Sequence, residues 1–195
     1  MPELLKYKIV VFDLDDTLYC EKDYLFAAYR RIADYTEKQC GGKTGTYYNY
    51  LTTHFLEKGR AQLLDNFIQD FHLSVNKDYL LYLLRTVDCR LTLQPTAKTI
   101  LGELLLNNSK VYILTNGNLV QQENKIRCLQ LKEQFEQIEV VHATGSAAKP
   151  APDGLLNILQ AENAAAEDMV FVGDSETDEQ TATAAKVKFI NIRDI

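Results

Sequence analysis

Five short runs of consecutive apolar residues punctuate the chain, at Tyr7 to Phe12 (YKIVVF), Val111 to Thr115 (VYILT), Glu139 to His142 (EVVH), Met169 to Gly173 (MVFVG) and Val187 to Ile192 (VKFINI). They are rich in β-branched and aromatic residues, as strands are. Their apolar positions follow one another instead of alternating, so each strand is expected to be covered on both faces, which predicts a parallel sheet flanked by helices. Between the last four runs the spacing becomes helical. Ile100, Leu101, Leu104 and Leu105 share a face behind a cap at Thr96 and stop at Asn107-Asn108, while Ile126 with Leu129, and Leu155 with Ile158 and Leu159, repeat the pattern. Strand and helix in alternation predict the α/β class.

The interval from about Cys20 to Leu93 departs from this alternation. Helical patterns at Tyr24-Leu25-Ala28-Ile32-Tyr35, Tyr47-Leu51-Phe55, Leu63-Leu64-Phe67-Ile68-Phe71 and Tyr79-Leu80-Leu83-Leu84 are separated by Gly41-Gly42, Gly59 and Ser74 to Asn76. This predicts an α/β core from 1–19 and 93–195, interrupted after its first strand by an all-helical insertion, 20–92, over the carboxyl edge of that strand. Nine of the eleven tyrosines fall between Tyr19 and Tyr82. Most are expected to fill the core of the insertion together with Phe55, Phe67 and Phe71, though some could meet a ligand with ring or hydroxyl.

Composition narrows the function classes. The 195 residues carry a formal charge of −6, with the basic residues scattered, which argues against a polymeric nucleic acid or an anionic membrane as partner. The longest apolar run, Tyr79 to Leu84, is far short of the ~18 residues of a membrane span. Charges enter directly at the N-terminus, so no signal peptide is read there and a cytoplasmic location is expected. Cys20, Cys40, Cys89 and Cys128 are widely spaced, as are His54, His72 and His142. Reduced thiols are expected, with neither a disulfide framework nor a zinc site.

Candidate chemistry gathers where the strands end. The first strand runs into Asp13-Leu14-Asp15-Asp16-Thr17, and residues i and i+2 of an extended segment point to one side, placing Asp13 and Asp15 roughly 7 Å apart. Two like charges there require a cation or a shared proton. Asp15, Asp16 and Thr17 read equally well as a helix cap and turn. Thr115-Asn116-Gly117 offers a hydroxyl, a backbone amide and a glycine suited to phosphoryl oxygens. Lys149-Pro150 adds a cation, and Gly173-Asp174-Ser175-Glu176-Thr177-Asp178 adds further carboxylates. All would lie at the carboxyl edge of a parallel sheet, where α/β proteins bind ligands. Together they suit a hard cation such as Mg²⁺ beside a phosphate.

The segments Phe12-Asp-Leu-Asp-Asp-Thr-Leu-Tyr19, Leu114-Thr-Asn-Gly117, Lys149-Pro-Ala-Pro-Asp153 and Val172-Gly-Asp-Ser-Glu-Thr-Asp178 resemble, in order, the four motifs of the haloacid dehalogenase superfamily. The resemblance implies a Rossmann-like sheet with strand one central, the insertion serving as a helical cap. It implies an Mg²⁺-dependent phosphatase for a small phosphomonoester, with Asp13 as nucleophile forming an aspartyl phosphate and Asp15 as general acid and base. Thr115, the Asn116 amide and Lys149 would hold phosphoryl oxygens. The metal would be held by the Asp13 carboxylate, the Asp15 carbonyl and Asp174, with Asp178 bound through water or supporting the others. Dehalogenases of the same fold lack an aspartate at the position of Asp15, so its presence favours phosphate chemistry. A phosphomutase and a receiver-like phospho-switch are the alternatives.

The turn followed by Gln121, Gln122 and Lys125 is similar to the branch of the family containing nucleoside monophosphatases, although these residues also read as a solvated helix face. Ala185 is followed by Lys186 where the family has glycine, so the last helix is expected to end differently.

Overall fold

The computed structural model describes residues 3–42 and 45–195; Met1 and Pro2, where the reading of the N-terminus begins, lie outside them. The chain divides into two compact units, Met1–Glu21 with Arg90–Ile195, and Lys22–Cys89.

In the larger unit the apolar runs form one parallel sheet of β1 (Ile9–Phe12), β2 (Lys110–Asn116), β3 (Glu139–Ala143), β4 (Met169–Gly173) and β5 (Lys188–Asn191) in the order β3-β2-β1-β4-β5. β1 is central, with Ile9 opposite both Lys110 and Met169. Every residue of β1 and β4 is buried, as continuous apolarity requires of strands covered on both faces. β1 starts two residues later than its apolar run because Leu4–Lys6 form a 3-10 turn, closed by the Tyr7 N–H on the Leu4 carbonyl. One face of the sheet packs Ile9, Val11, Leu114 and Phe171 against Leu155 and Ile158.

Five helices follow the strands of this unit: α5 (Pro95–Leu106), α6 (Leu119–Cys128), α7 (Leu131–Gln134), α8 (Asp153–Ala161) and α9 (Glu176–Ala184). The expected cap at Thr96 is displaced. Gln94 takes the N-cap position, Pro95 opens the helix and Thr96 lies in its first turn, because the fixed φ of proline suits the first helical residue. The expected stop is observed at Asn107, followed by Asn108 in the left-handed region with φ 57°.

The smaller unit is helical: α1 (Glu21–Cys40), α2 (Thr46–Lys58), α3 (Leu63–Asp70) and α4 (Lys77–Arg85). Tyr24, Ala28, Tyr29, Ile32, Leu51, Phe67, Leu80 and Leu83 are buried. The aromatic residues divide. Phe67 is fully buried with Tyr47 edge-on to it, whereas Phe55 and Phe71 are half-buried, Phe71 falling just past the end of α3. Tyr79 and Tyr82 face outward and stack on each other, so they fill no core. Asn76 caps α4, its side chain accepting from the Asp78 and Tyr79 N–H groups. None of the four cysteines forms a disulfide, and among the described residues no helix is long and apolar enough to cross a membrane.

Candidate active site

The site lies in the larger unit, at the carboxyl ends of β1, β2 and β4 and the loop following β3. Asp13 continues β1 by one ladder bond, its N–H donating to the Val172 carbonyl at 2.9 Å, which places a buried carboxylate at the sheet edge. The chain then turns sharply. Asp16 adopts φ 55° and accepts the Glu21 N–H at 2.9 Å, so it caps the start of α1, as the turn reading expected. The Thr17 hydroxyl sits 3.5 Å from Asp13 Oδ2.

Lys149 is delivered to Asp13 by a side-chain clamp. The Asn116 side chain accepts from the Lys149 N–H and donates to the Lys149 carbonyl, both at 2.9 Å. Held this way, Lys149 Nζ reaches Asp13 Oδ1 at 2.5 Å and Asp178 Oδ1 at 2.6 Å, in a buried trio. The side chain of Asn116 is thus committed to the lysine loop, which leaves only its backbone N–H for the phosphate role read from the sequence.

Asp178 has two tasks. Its Oδ2 accepts from the Ser175 N–H at 3.2 Å and hydroxyl at 2.6 Å, while the Ser175 hydroxyl accepts the Asp178 N–H, forming a capping box at the start of α9. Its other oxygen faces Lys149. Gly173 permits this: a Cβ there would lie 2.6 Å from the Asp178 side chain. Asp174 is half-buried and paired with Arg193 at 3.3 Å.

Oxygens of Asp13, Asp174 and Asp178 lie within 4.8 Å of one another. Burial is the main force on Asp13 and lifts its carboxyl to about 7; Lys149 works against that shift, and Asp178 and Asp15 add to it. Burial also lifts Asp174, with Asp16 and Asp178 repelling in the same sense and Arg193 opposing. Lys149 would be lowered by burial, but Asp13 and Asp178 outweigh this and hold its ammonium above the ordinary value. Three carboxylates against one ammonium leave an excess of negative charge that a divalent cation would neutralise. An all-oxygen donor set of this kind fits Mg²⁺.

Asp15 contributes no carboxylate oxygen to that group. Its Oδ1 accepts from the Tyr19 hydroxyl at 2.6 Å and Lys125 Nζ at 2.8 Å, and its Oδ2 from Lys125 Nζ at 2.7 Å and Gln122 Nε2 at 3.1 Å. Gln122 Nε2 also donates to the Thr115 hydroxyl at 2.6 Å, and Lys125 reaches Glu21 at 3.1 Å. The solvated-face reading of Gln122 and Lys125 is therefore overturned, since both are buried on the inner side of α6. Gln121 remains partly exposed.

The structure thus brings together Asp13, Lys149, Asp174 and Asp178, and links Asp15 to Thr115 through Gln122. Gln122, Lys125, Glu21, Ser175 and Arg193 were not assigned roles from the sequence. Gln122 and Lys125 stood out there only as a likeness to the nucleoside monophosphatase branch, and Ser175 left a signal as the first residue of a Ser-x-x-Asp capping pattern.

With this geometry in place, the family comparison is decisive. The model of the haloacid dehalogenase-like hydrolases matches residues 7–186. The chain belongs to this family. A haloacid dehalogenase-like hydrolase is an enzyme, and Asp13 stands at the end of the central strand, on the sheet edge where α/β folds bind ligands. Solved structures share the fold. A candidate β-phosphoglucomutase from Thermotoga maritima superposes with a TM-score of 0.72 at 19% identity, covering 93% of this chain and 83% of its own. A subfamily IA hydrolase of the superfamily from Geobacter sulfurreducens gives 0.69 at 20%, covering 95% and 87%. The hydrolase YfnB of Bacillus subtilis, solved with magnesium bound, gives 0.65 at 17%, covering 94% and 87%. No curated protein matches the chain in sequence.

Proposed function

We propose that the protein is an Mg²⁺-dependent phosphatase acting on a small phosphomonoester, with nucleoside monophosphates and sugar phosphates as the substrate classes to try first. The observation that carries this reading is the division of labour between two aspartates two residues apart. Asp13 is buried against Lys149, whereas Asp15 is turned away into a separate set of donors. That is the arrangement needed for one carboxylate to attack and the other to handle protons.

In the first half-reaction an Asp13 oxygen attacks phosphorus in line, the bond from phosphorus to the ester oxygen breaks, and that oxygen takes a proton from the Asp15 carboxyl. In the second, Asp15 takes a proton from water, the water oxygen attacks phosphorus, and the aspartyl phosphate bond breaks. Lys149, the Thr115 hydroxyl and the Asn116 N–H hold the phosphoryl oxygens, and the lysine stabilises the charge developing on them. Asp13, Asp174 and the Asp15 carbonyl would hold Mg²⁺, supported by Asp178. When bound, the ion neutralises charge that nucleophile and phosphate bring together. YfnB, which shares the fold and binds magnesium, is in keeping with this. The helical insertion, 20–92, would act as a cap that restricts access to small esters.

The test is phosphate release from an aryl phosphate with Mg²⁺ or with EDTA, for wild type, Asp13→Asn and Asp15→Asn. Turnover is expected only with Mg²⁺ and is expected to fall at least about a hundredfold in either variant. Stable phosphorylation of Asp13 without hydrolysis would move the reading to a phosphomutase or a phospho-switch, and turnover unaffected by Asp13→Asn would end it.

A further inference from the structure

Gln122 and Lys125 lie three residues apart on α6, hence on one helix face. Lys125 is 1% exposed and Gln122 2%. Burying an ammonium is unfavourable unless it is paired and hydrogen-bonded, and burying a primary amide carries a smaller cost of the same kind. A leucine pair on this face would pack without either cost. The two side chains instead converge on one carboxylate, that of Asp15, more than a hundred residues earlier in the chain. Lys125 Nζ bridges both Asp15 oxygens at 2.8 and 2.7 Å, with Glu21 at 3.1 Å as its second counter-charge. Gln122 Nε2 reaches Asp15 Oδ2 at 3.1 Å and Thr115 Oγ1 at 2.6 Å, tying the acid to the strand end that would hold phosphate. The Tyr19 hydroxyl completes the set at 2.6 Å.

We propose that Gln122 and Lys125 are positioning residues that fix the Asp15 carboxyl group relative to the Thr115 hydroxyl, so that its proton is aimed at the ester oxygen leaving the phosphoryl group. This rests on the phosphatase reading above. Lys125 restrains rotation of the carboxyl by gripping both oxygens, and Gln122 sets its distance from the phosphate side. Both act through the Asp15 carboxyl group and not on the phosphoryl group itself. Without them Asp15 would retain the Tyr19 bond but could turn about its side-chain torsions, and misplacement of a catalytic group by about 1 Å can cost on the order of a hundredfold in rate.

The contribution of a positioned acid depends on the leaving group, and that separates it from a merely structural role. 2,4-Dinitrophenolate departs without a proton, whereas an alkoxide needs one. The full-length enzyme with Mg²⁺ is assayed for kcat/KM on 2,4-dinitrophenyl phosphate and on a simple alkyl phosphate. This constant reports steps up to transfer onto Asp13 and leaves out the later hydrolysis. The variants are Lys125→Met, Gln122→Met and Asp15→Asn as the reference for loss of the acid. The ratio of the two constants, aryl over alkyl, is expected to rise at least about tenfold in Lys125→Met and severalfold in Gln122→Met, in the direction set by Asp15→Asn.

An unchanged ratio in both methionine variants, with a raised one in Asp15→Asn, would overturn the positioning role and leave the phosphatase reading intact. A ratio unchanged even in Asp15→Asn would remove the acid role of Asp15, and the positioning role with it. Lys125→Met leaves Asp15 and Glu21 without their shared cation, so Lys125→Met combined with Glu21→Gln serves if the single variant fails to fold. Gln122→Met strands no buried charge and carries the test independently. A rise in the ratio that Lys125→Arg partly reverses would support the proposal further.

Discussion

Gly173 stands where even a methyl group has no room. Its Cβ would meet Asp178 Cβ and Oδ2 at 2.6 Å, and the Asp178 side chain cannot retreat without giving up both Ser175 and Lys149. Gly173→Ala is therefore expected to destabilise the protein by about 1–3 kcal/mol, the usual range for overpacking, and to lower activity through displacement of Lys149. A thermal melt and the aryl phosphate assay would show both effects; an unchanged melting temperature would mean that α9 shifts freely. Most single residues of the site were legible because each follows an apolar run and carries an oxygen or a charge: Asp13, Thr115, Asp174. Gln122 and Lys125 were not. In sequence they stand beside Glu123 and Asn124 and look like part of a wetted helix surface. Their burial follows from a partner at Asp15, a pairing that no local pattern encodes.

Several helices end in the same way, with little help from glycine. After α3, α5, α8 and α9 the left-handed residue is His72, Asn108, Asn163 and Lys186, at φ 49°, 57°, 49° and 59°. In each case the next N–H reaches back over the turn, as Leu73 to Ile68, Ser109 to Leu104, Ala164 to Leu159 and Val187 to Ala182. These are Schellman closures. Asparagine enters the left-handed region more readily than lysine does, so Lys186 is the strained member of the set with the clearest remedy. The expectation that the last helix would end differently is thus corrected: the closure is kept and a lysine adopts the glycine conformation. Lys186→Gly is expected to stabilise the protein by up to about 1 kcal/mol, read as an increased denaturant midpoint with unchanged slope, whereas Asn108→Gly should change it much less. The strands were more legible than these endings, since a run of β-branched residues announces itself while a left-handed lysine carries no sequence mark. The start of α5 shows the same limit, Thr96 being the better cap by type and Pro95 the better first residue by geometry.

Across the molecule, each compact unit contains a tyrosine hydrogen-bonded to a carboxylate. Tyr50 donates to Asp70 at 2.6 Å in the helical unit, and Tyr112 donates to Glu162 in the sheet unit. Burial is the first cause in both and the carboxylate the second; Tyr50 is raised to about 12, and Tyr112 is raised further. A folded value above the unfolded one means that the stabilisation is whole below pH 10 and is lost as pH rises through the folded value, for Tyr50 between 10 and about 12. An alkaline titration followed by tyrosinate absorbance is expected to show a late phase that loses one group in Tyr50→Phe and another in Tyr112→Phe. If neither variant changes the late phase, these bonds do not persist in solution. At this scale the α/β class and a helical insertion followed from the change of period after the first strand. Strand order did not, since periodicity says which segments are strands and not which are neighbours; the central place of β1 followed from the family resemblance alone.

The central place of β1 has a consequence for how the protein is made. On the ribosome, Ile9–Phe12 emerges long before its neighbours, Lys110–Ile113 on one side and Met169–Val172 on the other. At about 5–20 residues per second, a newly made, wholly apolar strand waits several seconds for its first partner and longer for its second. The helices that follow it depend on contacts much nearer in sequence and can form meanwhile. A nascent chain halted before β2 should therefore carry ordered helices and an unpaired, sticky β1, the state in which a chaperone would find the most to hold.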